Sequence, residues 1–368
     1  MLQKTLARIL GSALLAYSGI ASAFTLIELQ EEKLTPSSSI TEATTLEAQV
    51  QPVVSTIRMQ MLSQRRGKKS DKVTQAGRLL AANDWADSRT DFNYLAQASG
   101  SSGMAGGLGG DSSSLWISTA YNSLENEFWR TSFYGSTQNV LAGFDFTRSD
   151  KYILGVALGY EASDYVTNFN IGNEKTRGYN FSPYFALLLS DAWSVDLSLG
   201  YGQFNTRQSR TLPTGPLTSV AVGSEFDSTR SFASLNLTNV SAWGNWKLTT
   251  SLGALATRRE QDAYTESIGT TIASSKQTVE QYNVLGELAY GAGASEAFFG
   301  AMYENTRDPE QVQFITGEQP ANDPDSVLLT AGWRHFGKGL TASFLFSSRV
   351  AQEQVNEWGV AMTLRLEL

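Results

Sequence analysis

The sequence predicts an all-β fold, a twelve-stranded antiparallel transmembrane β-barrel over residues 115–368, set in the outer membrane of a Gram-negative envelope. Three observations predict it. An export signal opens the chain, long segments alternate apolar and polar residues with a period of two, and the connections between those segments alternate between tight and long.

The export signal occupies residues 1–23. Lys4 and Arg8 form a basic start, residues 9–17 are mostly apolar, and Ala21, Ser22 and Ala23 present the small side chains that a signal peptidase reads. Cleavage is expected between Ala23 and Phe24. The apolar stretch is shorter than the roughly 20 residues a membrane helix needs. Without Lys4 and Arg8, the 28 basic residues fall to about 26 against 36 acidic ones, which excludes nucleic acid as a partner. There is no cysteine, so an exported chain of this size must take its stability from something other than disulfides. A closed barrel supplies it through an unbroken hydrogen-bond ladder. No apolar run long enough for a membrane helix follows Ala23.

Alternation is plainest at the C-terminus. Trp358, Val360, Met362, Leu364, Leu366 and Leu368 share one face, while Gly359, Ala361, Thr363, Arg365 and Glu367 share the other. A strand between lipid and a polar lumen requires that division. Trp193, Val195, Leu197, Leu199 and Tyr201 repeat it, as do Val140, Ala142, Phe144 and Phe146, and Tyr282, Val284, Leu288 and Tyr290. Further strands are expected at residues 115–121, 152–166, 178–190, 230–243, 246–257, 294–304, 326–336 and 340–350.

Tight turns fall at residues 149–151, 191–192, 244–245, 291–293 and 337–339, and longer polar loops at 206–229, 258–276 and 305–325. The tight turns mark the periplasmic end. Tyr152, Trp193, Trp243, Trp246, Trp333 and Phe336 lie beside them, where an aromatic girdle is expected. A soluble sandwich is the competing fold, but its strands average about 5–6 residues, whereas a tilted membrane crossing takes about ten.

Within this pattern, Leu141, Ala142, Gly143, Phe144 and Asp145, then residues 155–160, the strand around Tyr184 and residues 196–202 resemble the translocator β-domain of autotransporters. The resemblance covers about residues 114–368. It implies a barrel with a segment threading its lumen, a passenger displayed or released outside, and a last strand read by the barrel-insertion machinery. Members usually end in Phe or Trp, whereas this chain ends in Leu368. They usually carry long β-helical passengers, whereas here only residues 24–97 precede a Gly/Ser-rich linker at 98–114.

That short segment has no internal repeat. Val50, Val53, Val54 and Ile57 fall at helical spacing, and a helix over residues 44–63 would run about 30 Å, enough to cross a barrel. Pro52 is expected to kink it unless it lies in a first turn. Arg65, Arg66, Lys68 and Lys69 form a basic run whose charge matches acidic lumen groups such as Asp145, Asp196 and Glu287. With Arg334, Arg349 and Arg365, those acids are read as the lumen's charged lining.

No catalytic, metal or cofactor constellation is identified. His335 is the one histidine, on the predicted outward face with Trp333, and it is read as an interfacial structural group. Residues 106–110 are Gly-rich but lack a following Lys-Ser/Thr, so they form linker and not a phosphate loop. Asn83 beside Asp84 is a weak candidate for self-cleavage. The reading is a non-enzymatic, monomeric translocator-like barrel contacting outer-membrane lipid. The alternative is a stand-alone pore or surface-exposed adhesin.

Overall fold

The computed structural model describes residues 112–148, 151–215, 218–307, 324–337 and 339–368, with 318, 320 and 321, and in the N-terminal segment residues 36–38, 41, 45–46 and 49–57. The signal region, the basic run at 65–69, Asn83 and the Gly/Ser-rich stretch up to residue 111 lie outside them.

Twelve strands close a barrel: β1 (Ser112–Asn126), β2 (Phe133–Arg148), β3 (Tyr152–Thr167), β4 (Gly172–Leu188), β5 (Trp193–Gly215), β6 (Thr218–Trp243), β7 (Trp246–Gln261), β10 (Ser275–Ala292), β11 (Ser295–Arg307), β12 (Asp325–Phe336), β13 (Leu340–Val350) and β14 (Val355–Glu367). Two short strands, β8 (Tyr264–Thr265) and β9 (Thr271–Ile272), pair within the connection from β7 to β10. Each barrel strand is antiparallel to its neighbours, and β1 closes the ring on β14 from Ser114 opposite Glu367 to Asn126 opposite Val355. Closure leaves the barrel no free edge to template aggregation.

The outer wall follows the alternation read from the sequence. On β14, Trp358, Met362, Leu364, Leu366 and Leu368 are exposed, while Gly359, Thr363 and Arg365 are buried against the interior. Tyr152, Trp193, Trp243, Trp246 and Trp333 are exposed beside the tight turns. Phe336 corrects the expected girdle. It is 4% exposed and lies inside under the Lys247 ammonium, 5.8 Å from the ring centroid. Three residues separate it from Trp333, and in a strand an odd offset reverses the face.

The loop expected at 206–229 is also corrected. β5 and β6 continue through it as a ladder from Asn205 opposite Asp227 to Gly215 opposite Thr218. The 23 and 26 residues of these strands exceed what a bilayer crossing needs, so the hairpin stands above the rim. Beyond the bilayer neither face must be apolar, so the alternation that signals a membrane strand disappears while the backbone pairing persists.

Every described residue between Ser37 and Ile57 in the N-terminal segment is helical, with residues 49–57 continuous through Pro52. Helical residues occur already at Ser37, Ser38 and Thr41, ahead of the expected start at residue 44. Leu46, Val50, Val53, Val54 and Ile57 are buried inside the barrel, where the last four join a core with Trp116, Leu141, Ile153, Ala157, Tyr184, Ala186, Phe232 and Leu255 of the wall.

Candidate functional site

The filled lumen is built in tiers. At the tight-turn end, Trp116 on β1 lies over Gly143 of β2, and Tyr184 on β4 lies over Gly155 of β3. A Cβ on either glycine would stand 2.2 Å or 2.1 Å from the covering ring, so only glycine lets these rings lie against the wall. The Trp116 indole donates to the Tyr184 hydroxyl at 2.9 Å, which donates to Asp145 at 3.1 Å. Asp145 also accepts from Ser114 at 2.6 Å and is paired with Arg365 at 3.3 Å. These side chains come from β1, β2, β4 and β14 and form a polar floor beneath an apolar patch. Val50, Val53, Val54 and Ile57 seat on that patch, and the Thr56 hydroxyl reaches Ser118 at 3.3 Å.

Buried ion pairs line the wall at three heights, with Arg334 and Glu296 beside the tight turns, Arg230 and Glu161 near the middle, and Arg349 and Glu357 near the external end. Arg230 pairs with Glu161 at 2.9 Å and also donates to Gln49 of the helix. Arg334 bridges Glu287 at 2.6 Å and Glu296 at 3.0 Å. Arg349 bonds Glu304 and, at 2.8 Å, Glu357. Gln51 donates to Gln281 at 2.8 Å and to Glu304 at 3.0 Å. Asp196 accepts from Asn236 at 2.7 Å. The six lumen charges read from the sequence are therefore all interior. Asp145 and Glu287 take wall arginines as partners, and the basic run expected to meet them lies outside the described residues.

The external end is polar. Ser37 shares hydrogen bonds with Thr167 at 3.1 Å and Asn170 at 2.9 Å, and the Ser38 amide donates to Gln208 at 2.9 Å. Thr41 donates to Glu174. The Gln208 amide also donates to Tyr264 at 2.6 Å, whose ring stacks on Phe226 at 4.6 Å. Arg210 grips Glu266 through two bonds of 3.0 Å. The β7–β10 connection thus leans on the β5–β6 hairpin, and Gln208 ties both to the start of the helix. Burial raises the Tyr264 phenol above its ordinary value, which keeps it a neutral hydrogen-bonding group.

The helix has a direction. Ser37 contacts Thr167, the last residue of β3 at the long-loop end, while Thr56 contacts Ser118 in the tight-turn half of β1. Glu161, Glu174, Arg230, Glu296 and Glu304 were missed in the sequence. Their one signal was inward parity on strands whose outer faces were already legible. Trp116 and Tyr184 were hidden because an aromatic inside a barrel looks like one outside it until register is known.

A family model for the autotransporter β-domain matches residues 115–308. The chain belongs to that family. The fold agrees with solved members. It resembles the translocator domain of the autotransporter NalP from Neisseria meningitidis, with 15% identity, a TM-score of 0.58, and coverage of 81% of this chain and 96% of that one. It also resembles the β-domain of the Bordetella autotransporter BrkA, with 15% identity, a TM-score of 0.57, and coverage of 70% and 100%. No curated protein sequence matches the chain. This autotransporter is an outer-membrane β-barrel of the translocator type, the domain through which a passenger is exported. Two of the described sites stand apart from the lumen. His335 is on the outer wall, stacked on Trp333 at 5.7 Å and bonded to Ser295 at 3.0 Å. Leu364 and its outward companions on β14 face lipid. Ala21, Ala23 and Phe24 lie outside the described residues.

Proposed function

We propose that this autotransporter carries its own short N-terminal segment outward and keeps it docked, with residues 37–57 filling the lumen and residues 24–36 at the cell surface. The observation that carries this reading is the direction of the helix. Its N-terminal end bonds the external rim at Thr167, Asn170 and Gln208, so the chain before Ser37 leads to the outside. The filled lumen argues against an open pore. The barrel is read as non-catalytic, because its single histidine belongs to the outer wall beside Trp333. Residues 1–23 serve as the export signal removed before Phe24, and β14 with its apolar face is the segment offered to the insertion machinery.

The chain has no cysteine, so Leu26→Cys gives a label site without background. A membrane-impermeant maleimide should modify it in intact cells. Labelling only after the outer membrane is opened would overturn the export reading. Deleting residues 37–57 should leave a heat-modifiable barrel that conducts, and an unchanged single-channel current would show that the helix does not block the pore. N-terminal sequencing of the mature protein should begin at Phe24.

A further inference from the structure

We infer that the outer wall at the periplasmic end holds a binding site for one glycerophospholipid, with its acyl chain in a groove across β2, β3 and β4 and its phosphate on Arg148. The groove encloses about 400 Å³ and is lined by Phe146, Arg148, Tyr152, Leu154 and Phe185. Strand register makes it. Phe146 stands opposite Leu154, which stands opposite Phe185, so a shorter side chain lies between two rings. Two strand spacings of about 4.8 Å separate those rings, giving a valley on a wall that is otherwise convex. Tyr152 stacks on Phe185 at 6.2 Å and 27°, and closes one side.

The polar end of the groove fits the same ligand. Arg148 is opposite Tyr152 in the next row, at the last position of β2, and its carbonyl accepts from Lys151 in the tight turn. It is exposed and shares the outward parity of Phe144 and Phe146. A guanidinium on the lipid face at the end of an apolar valley complements a phosphodiester whose chains run into the bilayer, because Arg engages phosphate through paired N–H donors. The protein as a whole is acidic, with a net charge of −8, so an anionic headgroup is held by this local cation and not by the general field. The occupant is a lipid of the periplasmic leaflet, since the groove lies at the tight-turn end.

The test uses the full-length protein in detergent, titrated with dioleoylphosphatidylglycerol and followed by native mass spectrometry. Dioleoylglycerol supplies the chains without the phosphate, and glycerophosphoglycerol supplies the headgroup without the chains. One phosphatidylglycerol should be retained at about tenfold lower concentration than either fragment. Arg148→Gln should raise its half-saturation about tenfold, as expected for loss of a charge-assisted contact, and Arg148→Lys should restore part of that. Leu154→Trp fills the valley while keeping the wall apolar, and should abolish the retained lipid. Heat-modifiable migration verifies that each variant is folded. Equal retention by wild type, Arg148→Gln and Leu154→Trp would overturn the site. So would equal binding of glycerophosphoglycerol, which would leave a bare anion contact, or a protein co-isolating on this face in place of the lipid.

Discussion

The two ends of the lumen hold the same helix by different physics. The tight-turn end offers an apolar patch around Trp116, Leu141, Tyr184 and Phe232, on which Val50, Val53, Val54 and Ile57 sit. The external end offers hydroxyls, amides and a carboxylate to Ser37, Ser38 and Thr41. Apolar burial is strong and non-directional, about 1.5–3 kcal/mol for a fully buried aliphatic side chain. A hydrogen bond contributes only about 0.5–1.5 kcal/mol net but demands a particular geometry. The lower end therefore supplies most of the docking strength, and the upper end sets which turn of the helix meets the rim.

The largest expected effect lies between the two ends. Arg230→Met alone should destabilise the barrel by about 3–5 kcal/mol, because Glu161 would remain buried without its partner. The double variant with Glu161→Met should recover most of that loss, read as the temperature of the heat-modifiable shift. A double variant no better than the single would mean that the pair is not an isolated unit.

Next comes a comparison of the two faces of β14. Leu364→Arg puts a charge in lipid at about 2–4 kcal/mol, whereas Thr363→Arg turns it inward. The first should harm assembly far more than the second, and equal expression of both would reverse the assignment of faces on β14.

Ile57→Ala, at 0% exposure, should weaken docking by about 2–3 kcal/mol. It should raise the frequency of channel opening without moving the helix along the pore. Smallest is Thr41→Val, expected to cost about 1 kcal/mol. Its signature is a change in register, read as altered cross-linking between cysteines placed at residues 38 and 208. If Thr41→Val opened the channel more than Ile57→Ala, the division of labour between the ends would be wrong.

How much of this was legible depends on which solvent each surface meets. Lipid tolerates no polar interruption, so outward faces such as Trp358 to Leu368 declare themselves over many residues, and strand number and the tight turns follow. Water and protein inside the barrel accept Gly, Ser, Asn, Glu or Trp alike. Inward residues consequently carry no pattern beyond parity, and Phe336 shows how an aromatic can be placed on the wrong face when parity is neglected. The β5–β6 hairpin was read as a loop because above the bilayer neither face has to be apolar.

By itself the sequence determined a cysteine-free chain with twelve strands whose outward faces are apolar, a helical spacing at Val50 to Ile57, and inward charges on known strands. Tertiary structure alone decided the partners. Asp145 meets Arg365 across 220 residues of chain because barrel closure brings β14 beside β1 and places β2 next to it. Glu161 on β3 and Arg230 on β6, 69 residues apart, meet beside the Gln49 side chain because the curl of the wall turns inward two strands that β4 and β5 separate. Periodicity reports the medium on each side of a strand. It carries no information on which strands face one another across a lumen, and that is set by closure, register and the helix that fills the space between them.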